Sequence, residues 1–170
     1  METTTVRLYS LAARQAKTYL AAAAFIAGNI VLPQLCHLIP DGGVILLPIY
    51  FFTLLGAYKY GWRVGLLTAL LSPVINAALF GMPAAAALPA IMFKSAAAAI
   101  AASWAASRTG HITLWTMTAV VAGYQIAGTL FEWLLTGSFT AAMQDFRMGL
   151  GGMALQIVGV WAVIRYIFKN

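Results

Sequence analysis

Charged residues are scarce in this sequence, and acidic residues are the scarcest. Only 8% of the 170 residues are charged, with four Asp or Glu against ten Lys or Arg, whereas a soluble domain usually carries about a quarter charged residues. A single cysteine, Cys36, excludes an internal disulfide bond. Because 62% of the residues are hydrophobic and the mean hydropathy is +0.87, the composition predicts a protein embedded in a lipid bilayer.

Six apolar runs have about the length that crosses a bilayer, for which a helix needs roughly 20 residues. The predicted helices are 18–35, 44–58, 64–80, 84–106, 112–135 and 148–164. The second run is short, and a partly re-entrant course is an alternative for it. Turn-forming Gly and Pro residues separate the runs, and no linker is left over. The sequence therefore predicts a single domain, residues 1–170, that is an all-α integral membrane protein with a compact bundle of six transmembrane helices.

The basic residues lie almost entirely on one side of such a bundle. With six spans, this side holds Arg7, Arg14, Lys17, Lys59, Arg63, Arg108, Arg165 and Lys169. Only Arg147 falls on the other side, and Lys94 lies inside a span. The positive-inside rule then predicts that the N- and C-termini are both cytoplasmic. Because this asymmetry accounts for most of the net charge of +6, nucleic acid is not expected as a partner.

Lys94 is the most unusual residue of the predicted spans. It lies ten residues after Ala84, about 15 Å along the helix, which is near the middle of the bilayer. Ionisable groups at this depth usually bind a ligand or another charged group. Glu132 is the natural counter-charge. A stem that reaches back to the interface, or an ion pair without a ligand role, are the alternatives.

Polar residues of the other predicted helices converge on the half of the bundle that lies away from the basic residues. Gln125, Thr129 and Glu132 follow one another at helical spacing, and Gln156 shares a helix face with two glycines. These residues predict a polar pocket that opens outward. The candidate substrate-binding residues are Lys94, Asn76, Gln125, Glu132, Arg147, Gln156 and His37. The loop 136–147 is interpreted either as a lid over the pocket or as a segment lying on the lipid headgroups.

Sequence motifs of enzymes are missing. The chain has no GxxxxGK[ST] phosphate loop, no HExxH and no GxSxG. Ser95 next to Lys94 does not form a nucleophile–base pair, because adjacent side chains on a helix point apart. We therefore predict that the protein is not an enzyme and has no cofactor.

Small residues recur at a spacing of four in the first predicted helix. Ala12, Ala16, Ala24 and Gly28 form a series that only Leu20 interrupts, and a parallel series runs from Ala23 to Ala27. Such a face lets the backbone of another helix approach closely. Packing inside the bundle is the alternative explanation.

The run LPQLCHLIPDGGVILLPIYFFTLLGAYKYGWRVGLLTALLSPVINAALFGMP, residues 32–83, resembles the substrate-binding S components of energy-coupling factor (ECF) vitamin transporters. The matching elements are His37-Leu38-Ile39-Pro40, Leu47-Pro48, Leu54-Leu55-Gly56, Tyr60-Gly61-Trp62-Arg63-x-Gly65, Ser72-Pro73 and Gly81-Met82-Pro83. The six predicted spans and the small-residue face of the first helix extend the likeness to the whole chain. These motifs do not indicate the substrate.

The resemblance implies high-affinity capture of a water-soluble vitamin or precursor at the outer face of a bacterial cytoplasmic membrane. The protein would be a multi-pass subunit that delivers its cargo with an ECF transmembrane coupling subunit and two ATPase subunits. In this family the small-residue face of the first helix meets the coupling subunit, and it maps here to Ala16, Ala23, Ala24 and Ala27. The ligand site lies in the outer half of the bundle, beneath the outer loops.

Several alternatives stay open. Lys94 and Arg147 are able to hold a carboxylate or phosphate, with Glu132 meeting an amine, hydroxyl or amide. No protein-bound metal is expected, but for a corrin substrate Cys36 or His37 would be the candidate cobalt ligand. An autonomous small vitamin transporter or channel, for example for cobalamin, that acts without ATPase subunits is the main rival function. A structural or assembly protein of the membrane is a further one.

Overall fold

The computed structural model describes residues 10–168, so Arg7 and Lys169 lie outside the described residues. This part of the chain is helical and contains no β-strand. The α-helices are α1 Ala16–Cys36, α2 Gly42–Leu46, α3 Phe51–Tyr60, α4 Trp62–Phe80, α5 Leu88–Thr109, α6 Leu114–Thr136, α7 Phe139–Ala142, α8 Gln144–Met148 and α9 Leu150–Ala162. Short 3-10 turns, Pro48–Tyr50 and Ala85–Ala87, precede α3 and α5, and a π-helical turn, Val163–Ile167, continues α9. The all-α prediction is confirmed.

Five of these helices are long and apolar enough to cross a membrane: α1, α4, α5 with its 3-10 turn, α6, and α9 with its π-helical turn. The outer surface of the bundle fits this. Large apolar side chains such as Leu20, Trp115 and Leu134 are 71%, 84% and 83% exposed. Exposed apolar surface of this extent is unfavourable in water but favourable against lipid. The architecture is that of a multi-pass membrane protein.

The predicted second span is a broken segment instead of one continuous helix. Leu47 adopts a left-handed conformation, with φ 46° and ψ 48°, and Pro48 follows it. Proline disfavours the α conformation in the residue before it and has no N–H to donate to the preceding turn. The helix therefore stops at Leu46 and resumes at Phe51. The Leu47 carbonyl accepts hydrogen bonds from Gln156 Nε2 at 3.1 Å and from the Tyr50 backbone N–H at 3.5 Å.

The turns of the bundle gather at two ends. At one, called here the cavity end, the turns near residues 37–43, 81–84 and 145 line a common cavity. At the opposite end, Ser10, Gly61 and Gly110 line a separate groove. The described basic residues of the predicted cytoplasmic set belong to this opposite end. There Arg63 donates to the Leu11 carbonyl at 3.4 Å and Lys59 donates to the Phe168 carbonyl at 3.2 Å.

A buried asparagine joins three helices near the core. Asn29 on α1 is fully buried, and its Nδ2 donates to Thr53 Oγ1 on α3 at 3.0 Å and to Ser72 Oγ on α4 at 3.1 Å. Its Oδ1 accepts from the Phe52 backbone N–H at 3.2 Å. Because each polar atom of the amide has a partner, the amide is fully satisfied and ties α1 to both α3 and α4.

Candidate ligand site

A buried ammonium group paired with two carboxylates is the main charged feature of the described bundle. Lys94 Nζ on α5 lies 2.5 Å from Glu132 Oε2 on α6 and 2.6 Å from Asp145 Oδ2 on α8. The lysine side chain is 2% exposed, while the carboxylate side chains are 24% and 20% exposed. Lys94 is thus paired with the counter-charge expected from the sequence. We name Lys94, Glu132 and Asp145 the ion cluster.

Close packing of α5 against α6 brings Lys94 to the carboxylates. The lysine stem lies against Gly128, where an added methyl group would collide with Lys94 Cγ. Next to it, Phe93 stacks on Phe131 with ring centroids 4.0 Å apart and planes 11° apart. These contacts set the register of the two helices. They direct the ammonium group towards Glu132, one turn beyond Gly128 on α6.

Asp145 is a member of the ion cluster that was not among the predicted site residues. It lies on α8, within the loop 136–147 that was interpreted as a lid or as an interfacial segment. In the structure this loop folds into α7 and α8, and Phe146 packs against the core. The sequence contained one signal that could have identified Asp145: the chain has only four acidic residues, so each of them is a candidate partner for a buried lysine. Its pairing with a lysine 51 residues away was not readable from spacing.

A cavity of about 360 Å³ lies beneath the turns of the cavity end. Asp145 contributes to its wall, together with the polar residues His37, Tyr50 and Asn76. The remaining wall is mostly apolar, with residues such as Leu47 and Ile91. A concave, mainly apolar pocket with a few convergent polar groups is typical of small-molecule sites.

A second, larger cavity lies at the opposite end. It measures about 820 Å³ and is lined by residues such as Trp62, Trp104 and Ser107, and residues 10–168 contribute no charged side chain to its wall. Size alone would favour it, but a site is recognised by chemistry that converges on it. We therefore assign the candidate site to the smaller cavity, whose wall includes a residue of the ion cluster.

Two predicted site residues belong to the wall of the candidate cavity, and they differ in exposure. His37 is exposed at the end of α1, next to Gly43. Asn76 on α4 is buried, and its Nδ2 donates to the Asn29 carbonyl at 2.8 Å and to the Ser72 carbonyl at 3.1 Å. Its Oδ1 accepts from Gln34 Nε2 at 3.4 Å. His37 is therefore the more accessible of the two groups.

Gln125 is fully buried, and both polar atoms of its side chain lack a hydrogen-bond partner among residues 10–168. Thr129 Oγ1, one turn along α6, and Ser95 Oγ on α5 are also buried without a partner in this part of the chain. Each unsatisfied buried polar group costs about 1–3 kcal/mol. Gln125 and Thr129 share the face of α6 that carries Glu132, so the unsatisfied groups lie along the helix interface that leads to the ion cluster.

Gln156 is not part of the cavity wall, but it bonds to a residue of that wall, Leu47. It is fully buried on α9, where Oε1 accepts from Tyr124 OH at 2.6 Å and Nε2 donates to the Leu47 carbonyl. The two glycines that share its helix face pack against another part of the same chain: a methyl group at Gly152 would collide with the Leu46 backbone. This contact holds the broken segment 42–60 against α9.

Arg147 is also placed away from the cavity. It is exposed and borders a separate groove with Thr140, Gln144 and Met148. Cys36 is buried and is not part of the cavity wall, whereas the neighbouring His37 is. Among the described residues no group of three or more His, Cys, Asp or Glu side chains is placed to hold a metal ion.

The alanines predicted to meet a coupling subunit are all on the outer surface. Ala16, Ala23, Ala24 and Ala27 are exposed on α1, next to the exposed Leu20. The opposite face of α1 carries its buried residues, including Ala22, Phe25 and Asn29. The small-residue face is therefore available to lipid or to another protein, and packing within the bundle uses a different face.

No protein-family model, curated protein or solved structure matches this chain.

Proposed function

We propose that the protein is the substrate-capture subunit of an ECF-type vitamin transporter, which binds a water-soluble vitamin or precursor and delivers it with separate ATP-driven subunits. The observation that carries the proposal is the ion cluster beside a loop-covered cavity at one end of an apolar bundle. Charged side chains within a membrane-embedded bundle are costly and mark ligand or ion sites. The motifs of residues 32–83 support the choice of family.

The proposed topology has six crossings, with both termini in the bacterial cytoplasm. The broken segment begins at the cavity end with Gly43 and reaches the opposite end with Gly61. Its helical pieces, α2, the 3-10 turn and α3, add up to about 28 Å, close to the roughly 30 Å of a hydrocarbon core. The basic residues at the opposite end support a cytoplasmic location for that end. The cavity would then face outward.

Ligand binding by the purified protein tests the proposal most directly. We expect one member of a panel of water-soluble vitamins and precursors to bind more tightly than about 1 μM. If every member binds more weakly, the proposed capture function is wrong. Uptake assays in cells without ATPase subunits distinguish the rival: transport by this chain alone would identify an autonomous transporter.

The exposed alanine face of α1 is the proposed contact with the coupling subunit. The variant Ala23→Trp/Ala27→Trp should bind ligand as the wild type does but fail in ATP-driven uptake, because the large indoles prevent close helix approach. Ile126→Trp, at a residue of α6 that is 54% exposed, is the matched control and should leave uptake intact. Normal uptake by the double variant would place the contact elsewhere.

A further inference from the structure

The balance of charge in the ion cluster indicates what kind of ligand it accepts. Two carboxylates, Glu132 and Asp145, face the single ammonium of Lys94, so the formal charge of the cluster is −1. Among the described residues, no lysine or arginine belongs to the wall of the cavity that Asp145 borders. An unbalanced charge in an apolar bundle is unfavourable unless an opposite charge compensates it.

The accessible part of the cluster is its negative part. Lys94 is 2% exposed, whereas the two carboxylates are 20–24% exposed. Only Glu132 Oε2 and Asp145 Oδ2 pair with the lysine, and within residues 10–168 no hydrogen bond ends on the second oxygen of either carboxylate. Asp145 is the residue of the cluster that borders the cavity, so a molecule in the cavity meets a carboxylate before it meets the ammonium group.

A second observation points to a missing partner in the same region. Gln125 and Thr129 are buried and unsatisfied within the described chain, and they lie on the face of α6 that continues to Glu132. Gly128, between them, packs against the Lys94 stem. These polar groups are unrelated to the charge balance, and they call for a bound ligand or water at the same helix interface.

We propose that the ligand of this site is a cation, a small molecule with a protonated amine or a positively charged heterocycle that bonds to Asp145 and Glu132. The proposal rests on the capture function proposed above and supplies its substrate class. It differs from the sequence-based hypothesis of an anion held by Lys94, because two carboxylates already occupy that ammonium. The apolar wall of the cavity accommodates the uncharged body of such a ligand.

The test is isothermal titration of the purified full-length protein with probes sorted by charge. The matched set shares one pyridine ring: cationic 3-picolylamine, neutral nicotinamide and anionic nicotinate. Thiamine, pyridoxine, biotin and pantothenate extend the three charge classes. We expect the tightest ligand to be cationic, and 3-picolylamine to bind at least about tenfold more tightly than nicotinate, as a charged hydrogen bond implies.

Variants then locate the binding charge. Asp145→Asn and Glu132→Gln should each weaken the cationic probe at least about tenfold, with folding checked by thermal unfolding. Asp41→Asn is the control, because Asp41 is the one acidic residue outside the cluster that the structure describes, and it is exposed near the same end. Cation binding that survives both cluster variants would overturn the proposal.

The other outcomes separate this inference from the capture function. A tight anionic ligand that is lost in Lys94→Ala, while the protein still folds, would overturn the cation proposal and support the anion hypothesis. A tight neutral ligand would also overturn it. Either result would leave the capture function standing, whereas no tight ligand in any class would refute both.

Discussion

Replacing Lys94 by methionine should destabilise the protein far more than a surface substitution does. Methionine keeps an unbranched stem against Gly128 but removes the ammonium, leaving two partly buried carboxylates facing each other. The two oxygens that contact Nζ lie within about 5 Å of each other, so at an effective dielectric of about 20 their repulsion is about 3 kcal/mol. Breaking a buried ion pair typically costs about 3–5 kcal/mol.

Thermal unfolding in detergent measures this effect. For a chain of this size, a loss of about 3–5 kcal/mol lowers Tm by roughly 6–20 °C. The diagnostic step is a double variant. Asp145→Asn should change the wild type little, because Glu132 still neutralises Lys94, yet it should restore about 3 kcal/mol to Lys94→Met by removing the repulsion.

The result that would refute this reasoning is additivity. If the double variant Lys94→Met/Asp145→Asn is no more stable than Lys94→Met, to within about 0.5 kcal/mol, the two groups are not coupled. A Tm of Lys94→Met that equals the wild-type value would also contradict the ion cluster. Asp41→Asn again serves as the control and should leave Tm unchanged in both backgrounds.

Two further substitutions test the packing around the site by thermal unfolding. Gly128→Ala should destabilise by about 1–3 kcal/mol, because its methyl group collides with the lysine stem. Gly123→Ala, where the same helix has open space, should be neutral or stabilise by up to about 1 kcal/mol; equal effects would exclude the predicted collision. Gln156→Leu should cost about 1–3 kcal/mol, since it removes the partner of the Tyr124 hydroxyl and one of the two hydrogen bonds to the Leu47 carbonyl. The exposed Gln144→Leu should change Tm little, and an equally mild Gln156→Leu would refute the role of that amide.

Hydropathy alone located the long helices of the described chain, because each apolar run is a property of consecutive residues. α1, α4, α5 and α6 occupy almost the predicted ranges. The ends of these helices were also readable, since Gly81, Gly110 and Gly137 follow α4, α5 and α6 with positive φ. Local sequence failed at the second span, where hydropathy counted Leu47 and Pro48 as part of one helix.

The candidate site depended more on the tertiary structure. The sequence alone identified Lys94 as a candidate site residue, because a charged residue inside an apolar run needs a partner whatever the tertiary structure. Glu132 was identified as that partner. Which further groups surround the ammonium depends on how the loop 136–147 folds back over the helices, and that is a long-range contact. Asp145 was therefore identified as a residue of the site only from the structure.

The same difference between local sequence pattern and tertiary packing explains where the predicted polar residues lie in the structure. The sequence pattern groups Gln156 with the ligand site because helical spacing shows which residues share a face, but not what the face packs against. Tertiary packing gave Gln156 its partners in Leu47 and Tyr124, and it left Gln125 without any in the described chain. The sequence determined an apolar helical bundle with buried charge, since both follow from residue type and period. The sign of the charge that faces the cavity was decided only by the fold, because it depends on three side chains from separate helices meeting at one point.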